Sequence, residues 1–245
     1  MIDAGRWIAV ALLAAIVSAC SSPHTAPTPP PATSTAVPTT LSRLPTSQRA
    51  IALMFDLGDD AGHAAEILNV LRRENVRATF IVTGYWAEQH HDLLLAMTAA
   101  GHQIINGTYH GTSFTGASTQ TSPLTAAERT LELSRTEVTV YHLSERSTRP
   151  YWHPPHGDLD AAAQQDAAAA GYPITVVPTF DTAASGDAAS DAVAGRTIAA
   201  AAPGVIILMH AASASKDSGA LLEIVKGLRA AGYVFATIAD VASAQ

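Results

Sequence analysis

The residues best suited to chemistry are one carboxylate, Asp56, and several of the ten histidines. Asp56 follows the apolar run Ile51–Phe55, which predicts a buried strand with the carboxylate at its carboxyl end. His153 and His156 are separated by two prolines, so they should share one rigid loop. Imidazole and carboxylate groups are both zinc ligands. Together with Asp56, these two histidines could therefore hold a zinc ion in an arrangement of their own.

Other candidate residues have more ordinary interpretations. His63, His110 and His210 fall near the predicted ends of strands, where a single histidine more often has a surface or packing role. Asp59 either caps the helix that follows it or, as an alternative to Asp56, binds zinc together with His153 and His156. Trp152 could stack on a sugar ring, because aromatic faces do so in glycan-binding grooves.

Strand and helix signals alternate from residue 49 onward and predict the scaffold for these residues. The predicted strands are 51–55, 77–82, 102–105, 151–152, 173–177, 205–208 and 233–238. The predicted helices are 61–74, 86–100, 124–143, 159–170, 191–201 and 218–231, and Thr125 with Glu128 forms a capping box for the third. Such alternation implies parallel strands with helical crossovers. The pattern fits either an open doubly wound sheet or a barrel, with a site at the carboxyl ends of the strands.

Several segments, in the same order, resemble the polysaccharide deacetylase family, also known as NodB-homology or carbohydrate esterase family 4. They are IALMFDLG at 51–58, VRATFIVTG at 76–84, AGHQI at 100–104, PGVIILMH at 203–210 and GLRAAGY at 227–233. The resemblance covers nearly all of residues 50–240. It implies an α/β fold, a distorted (β/α)7 barrel. It also implies hydrolysis of an N-acetyl group on a glycan, assisted by a divalent metal that one Asp and two His hold.

The resemblance assigns roles to three residues of this chain. Asp56 matches the general base, His210 matches the general acid that protonates the leaving amine, and Leu208 matches the apolar residue beside the acetyl methyl group. His153 stands where the family has an arginine. The family's Asp-Trp pair has no clear match here, although Asp181 is near its position.

The metal-ligand positions depart from the family pattern. Leu57, Gly107 and Gly111 stand where the resemblance puts the metal-binding Asp and two His. Leucine and glycine have no side-chain atom that can coordinate a metal, so no cofactor is expected from the family pattern. The alternative is a rebuilt site in which His153 and His156 bind zinc or another divalent metal.

The N-terminal region predicts export. Residues 1–19 have a short positive start, Arg6, and an apolar run too short to span a bilayer, which is typical of a signal peptide. The sequence VSAC at 17–20 resembles a bacterial lipobox, so Cys20 is expected to carry a lipid; the alternative is an ordinary signal peptide. Residues 20–49 are rich in Pro, Ser and Thr and predict a tether, followed by the folded domain at 50–245.

Composition narrows the partners. The net charge is −7 and no basic patch stands out, which argues against nucleic acid. The expected partners are cell-wall glycan, such as peptidoglycan or another N-acetylated polysaccharide, and the membrane through a lipid at Cys20. Three hypotheses follow: a glycan-binding domain without turnover, an active hydrolase with a relocated metal, and an interaction lipoprotein whose cleft binds nothing.

Overall fold

A computed structural model describes residues 37–185 and 189–242. The strands are β1 (Thr39–Leu41), β2 (Ala50–Asp56), β3 (Thr79–Val82), β4 (Gln103–Asn106), β5 (Tyr151–Trp152), β6 (Ile174–Val176), β7 (Phe180–Asp181), β8 (Ile206–His210) and β9 (Val234–Phe235). The helices are α1 (Ala64–Arg73), α2 (Gly84–Gln89), α3 (His91–Ala99), α4 (Ala126–Ser144), α5 (Ala161–Ala169), α6 (Ser190–Ala199), α7 (Asp217–Ala230) and α8 (Ile238–Ala242).

All nine strands join one parallel sheet. The order is β1-β6-β5-β4-β3-β2-β8-β7, and β9 pairs with the start of β2. Helices connect most consecutive strands, and within the described residues the sheet curls into a half-barrel rather than a closed ring. The predicted α/β fold of the distorted-barrel type is thus confirmed, with the short strands β1 and β7 added to the predicted set.

The alternation along β2 separates two apolar layers. Ile51, Leu53 and Phe55 point outward and pack beneath the helices. Ala52 and Met54 point inward and pack against residues of the other strands in the barrel interior. Because successive side chains of a strand point to opposite faces, Asp56 continues the inward series and reaches the carboxyl end of the barrel.

The folded domain begins before residue 50, so the predicted boundary between tether and domain needs correction. Thr39–Leu41 pairs with Ile174–Val176, and Leu44, only 1% exposed, belongs to the interior layer. Backbone pairing with a distant strand orders this polar stretch despite its composition. The predicted signal peptide, 1–19, and Cys20 lie outside the described residues. In the described part of the chain, no helix is long and apolar enough to cross a membrane.

The predicted helices occur with small changes at their ends. The capping box at Thr125 and Glu128 is present at the start of α4. The segment predicted as one helix at 86–100 is two helices that meet at His90. The helix after β2 begins only at Ala64, so Asp59 does not cap it.

Candidate functional site

Asp56 and His210 lie at the carboxyl ends of neighbouring strands. They are register partners in the pairing of β2 with β8. The Oδ1 atom of Asp56 accepts a hydrogen bond of 2.9 Å from the backbone N–H of Gly58. The structure therefore places both residues at the predicted edge of the sheet. Among the described residues, Asp56 accepts one hydrogen bond from the protein, that from Gly58.

His210 is held by a carboxylate that sequence reasoning missed. The buried carboxylate of Asp217 accepts hydrogen bonds from the backbone N–H of His210 at 2.7 Å and from the hydroxyl of Thr182 at 2.6 Å. The same carboxylate lies 3.5 Å from His210 Nδ1, and Asp181 Oδ1 lies 3.8 Å from His210 Nε2. Burial acts to lower the pKa of His210, but the bond to Asp217 and the nearby carboxylates outweigh it and hold that pKa above 6.5.

A small cleft opens beside Asp56, with a volume of about 160 Å³. It is lined by a set of residues from the loops after β2, β4 and β5, among them Asp56, Asp59, Gly107, Gly111, His153 and His156. The structure thus brings both histidines of the predicted rigid loop to the same cleft as Asp56. His210 lies on the neighbouring strand and does not line this cleft.

His153 is buried, with 6% of its surface exposed, and its orientation is fixed. Its Nδ1 lies 2.8 Å from the carbonyl oxygen of Val176, an acceptor, so Nδ1 must carry the proton. Burial lowers the pKa of His153, against the opposing effects of that hydrogen bond and of the charge on Asp56. The ring is therefore neutral at physiological pH, and its Nε2 atom is an acceptor.

The resemblance assigns the family's metal-ligand positions to Leu57, Gly107 and Gly111, and the structure describes the surroundings of each. Leu57 is 1% exposed and packs in the outer apolar layer beneath the helices. A Cβ atom on Gly107 would lie 2.8 Å from Ile81 Cγ2 and 3.2 Å from the backbone of Val82, so a larger side chain needs a shift there. Gly111 has a φ of +70°, a conformation that side chains other than that of glycine adopt with strain. Across residues 37–185 and 189–242, no three His, Cys, Asp or Glu side chains are grouped to hold a metal.

Trp152 cannot stack on a sugar, so that prediction is wrong. Its side chain is fully buried, it stacks on Phe114 with ring centroids 5.4 Å apart, and its indole N–H donates to Thr175 Oγ1. The physical reason is the alternation of β5: the residue before the cleft-facing His153 points to the opposite side of the sheet. Leu208, predicted to contact the acetyl methyl group, is 5% exposed and packs in the barrel interior.

Two of the other histidines face away from the cleft. His63 lies 2.9 Å from Glu66 Oε2 at the start of α1. His110 Nδ1 lies 2.6 Å from Glu132 Oε1, and Glu132 also accepts the backbone N–H groups of Tyr109 and His110. Glu132, a buried residue of α4, thus anchors the loop that carries Gly107 and Gly111.

The curled parallel sheet with helical crossovers is similar to the solved structure of Bacillus subtilis PdaA, a family 4 carbohydrate esterase, with a TM-score of 0.74 at 25% identity, covering 84% of this chain and 85% of that one. The polysaccharide deacetylase family matches residues 43–175, and the chain belongs to this family. It is 28% identical over 198 residues to the peptidoglycan-N-acetylmuramic acid deacetylase PdaA of Bacillus subtilis, covering 80% of this chain and 72% of that one. It is 30% identical over 173 residues to the chitooligosaccharide deacetylase of Sinorhizobium fredii, covering 70% and 76%.

A solved structure with a similar fold is BA3943 of Bacillus anthracis, described as a CE4 family pseudoenzyme. The two folds superpose with a TM-score of 0.73 at 21% identity, covering 83% of this chain and 69% of that one. At this identity the likeness concerns the fold alone.

Proposed function

We propose that this protein is an exported, membrane-anchored envelope protein whose deacetylase-type cleft binds cell-wall glycan without metal-dependent deacetylation. The proposal rests on the residues at the three positions where the family resemblance places metal ligands. Leu57 is buried among apolar side chains, and Gly107 and Gly111 have no side chain to offer. Relatives described as peptidoglycan and chitooligosaccharide deacetylases support an N-acetylated or related glycan as the bound molecule.

The chemistry of the remaining pair argues against efficient turnover. In the family reaction, a metal polarises the acetyl carbonyl and activates the attacking water. Without it, Asp56 and His210 would act on an unactivated amide, and several kcal/mol of transition-state stabilisation would be missing. Asp56, which lines the cleft, can still contact a sugar through a hydrogen bond, which requires no metal.

Envelope anchoring is the second part of the proposal and rests on residues 1–20. We expect metabolic labelling with a fatty acid to mark the wild-type chain and not a Cys20→Ser variant. The variant should also move from the membrane fraction to the soluble exported fraction. An unlabelled wild-type chain would reduce the N-terminal region to an ordinary signal peptide.

The test of the cleft combines binding with turnover. The purified full-length chain should sediment with insoluble peptidoglycan, and it should release no acetate from acetylated chito-oligosaccharide or peptidoglycan with zinc or cobalt present. Acetate release that Asp56→Asn abolishes would overturn the proposal in favour of an active hydrolase. An absence of both binding and turnover would leave the non-catalytic interaction lipoprotein.

A rebuilt zinc site is the second candidate, favoured by one observation: His153 and His156 line the same cleft as Asp56. Metal analysis of the purified chain decides it. Stoichiometric zinc that is lost in His156→Ala, whose side chain is exposed, would establish this site if the variant keeps its fold by circular dichroism. Substoichiometric zinc that His156→Ala leaves unchanged would remove it.

A further inference from the structure

The cleft beside Asp56 presents hydrogen-bond acceptors that have no partner. In the part of the chain that the structure describes, Asp56 Oδ1 accepts one backbone N–H, and no donor reaches its Oδ2. His153 is 94% buried and lines the cleft. Its one N–H donates to the carbonyl oxygen of Val176, so its other ring nitrogen is an acceptor. Neither acceptor is among the described buried polar atoms that lack a partner, so both are accessible, and a ligand rich in donors is complementary to them.

The charge of the residues that line the cleft favours a ligand with a positive charge. Asp56 and the exposed Asp59 contribute two carboxylates, and no lysine or arginine of the described residues lines the cleft. The Thr83 hydroxyl oxygen already accepts the backbone N–H of Trp86. His210, whose pKa is raised in part by the charge on Asp56, lies on the neighbouring strand outside the cleft lining, so a cationic ligand in the cleft would meet two carboxylates with one imidazole nearby.

The size of the cleft limits what enters it. Its volume of about 160 Å³ is smaller than the roughly 300–1,000 Å³ of pockets that enclose a whole ligand. It therefore accommodates one substituent of a polymer whose remainder stays on the surface. At Gly111, the nearest atom to an added Cβ would be Thr83 Cγ2 at 3.9 Å, so the wall is open there.

We propose that the cleft binds the free ammonium group of a glycan whose amino sugar has already lost its acetyl group, with Asp56 and His153 as acceptors. This inference rests on the proposed glycan-binding function and specifies its ligand. An ammonium group has three donors and one positive charge, which matches a carboxylate, a neutral imidazole and a second nearby carboxylate. Because such a sugar arises by N-deacetylation, another protein of the envelope must supply that reaction.

Two oligosaccharides that differ only at nitrogen test the proposal. The probes are a tetramer of N-acetylglucosamine and its fully deacetylated counterpart, titrated into the full-length chain at about pH 7 by calorimetry. We expect the deacetylated tetramer to bind about tenfold more tightly, the factor that a single charge-assisted hydrogen bond can supply. Asp56→Asn should reduce the ratio of the two affinities to about one.

Asp92→Asn is the matched control, because Asp92 is an exposed residue of α3 outside the cleft and the substitution removes the same charge. It should leave the ratio unchanged, whereas Asp59→Asn should lower it by a smaller factor than Asp56→Asn. The wild-type ratio by itself already tests the proposal if the Asp56 variant does not fold.

The outcomes separate the two proposals. Equal or tighter binding of the acetylated tetramer would overturn the ammonium site and leave glycan binding standing. A preference for the amine that persists in Asp56→Asn would also overturn it, because the overall negative charge would then be the cause. Failure to bind either tetramer or peptidoglycan would overturn both proposals, and stoichiometric zinc in the cleft would replace the ammonium with a metal.

Discussion

Restoring the family's metal-binding carboxylate at position 57 should destabilise this protein rather than reactivate it. Leu57 is 1% exposed and lies in the apolar layer between the sheet and the helices. Truncation of a buried leucine costs about 2–5 kcal/mol. Leu57→Asp adds the burial of a carboxyl group, which either shifts its pKa upward to stay neutral or remains as an unpaired charge. We expect a total loss of about 4 kcal/mol or more at neutral pH.

The sign of the pH dependence identifies the cause. A carboxyl group whose pKa is raised in the folded state binds more protons there than in the unfolded state, so stability falls as pH rises above about 4. Urea unfolding of Leu57→Asp should therefore give a smaller free energy of unfolding at about pH 7.5 than at about pH 4.5, relative to Leu57→Asn. The asparagine variant has the same shape and no titration in this range.

A matched control and a metal titration complete the assay. Leu131→Asp makes the same change at a residue of α4 that is 54% exposed, and it should change stability by about 0.5 kcal/mol or less. Zinc should leave Leu57→Asp unaffected, whereas a rebuilt site saturated one hundredfold above its Kd would add about 2.7 kcal/mol. A Leu57→Asp protein as stable as wild type, or one that zinc stabilises, would refute this reasoning.

Three further substitutions probe the surroundings of the site. Trp152→Ala should lower the free energy of unfolding by about 3–5 kcal/mol while the folded fraction still sediments with peptidoglycan, since the indole is fully buried; loss of binding without loss of stability would contradict this. Asp217→Asn should lower the pKa of His210 in a proton NMR titration. Because that pKa is raised in the fold, its stabilising effect is present at low pH and lost as pH rises through it. Relative to the wild type, Asp217→Asn should therefore lower the free energy of unfolding more at about pH 5.5 than at about pH 8.5. Glu137→Ala should cost about 3–5 kcal/mol in denaturant unfolding, because the buried carboxylate accepts from Thr148 and neighbouring groups; an unchanged midpoint would contradict that.

The strand ends that carry Asp56 and His210 were predictable because local signals define them. An apolar run of strand length that ends in one polar residue specifies both the element and its terminus. The start of α4 was predictable for a similar reason, since the capping box at Thr125 and Glu128 involves residues only three apart. In each case the determining contacts lie within a few residues along the chain.

The features that sequence reasoning missed depend on contacts between distant segments. Thr39–Leu41 is a strand because β6, more than 130 residues away, supplies its hydrogen-bond partners. Trp152 is buried because Phe114 and Thr175 close over it from separate loops and strands. Asp217 reaches His210 only because α7 begins beside the end of β8. No local pattern encodes which distant segment will lie nearest.

The two residues that match the family's acid and base are held in the fold in different ways. His210 belongs to a buried network, since Asp217 receives its backbone N–H and a hydroxyl from Thr182. Asp56 has one protein hydrogen bond among the described residues and otherwise faces the cleft. Removal of the His210 imidazole would leave the buried Asp217 carboxylate without its nearby ring nitrogen, whereas Asp56 has a single protein hydrogen bond to lose. A carboxylate with one protein hydrogen bond, beside the imidazole of His153 in the cleft, is best explained by the ligand that the cleft receives.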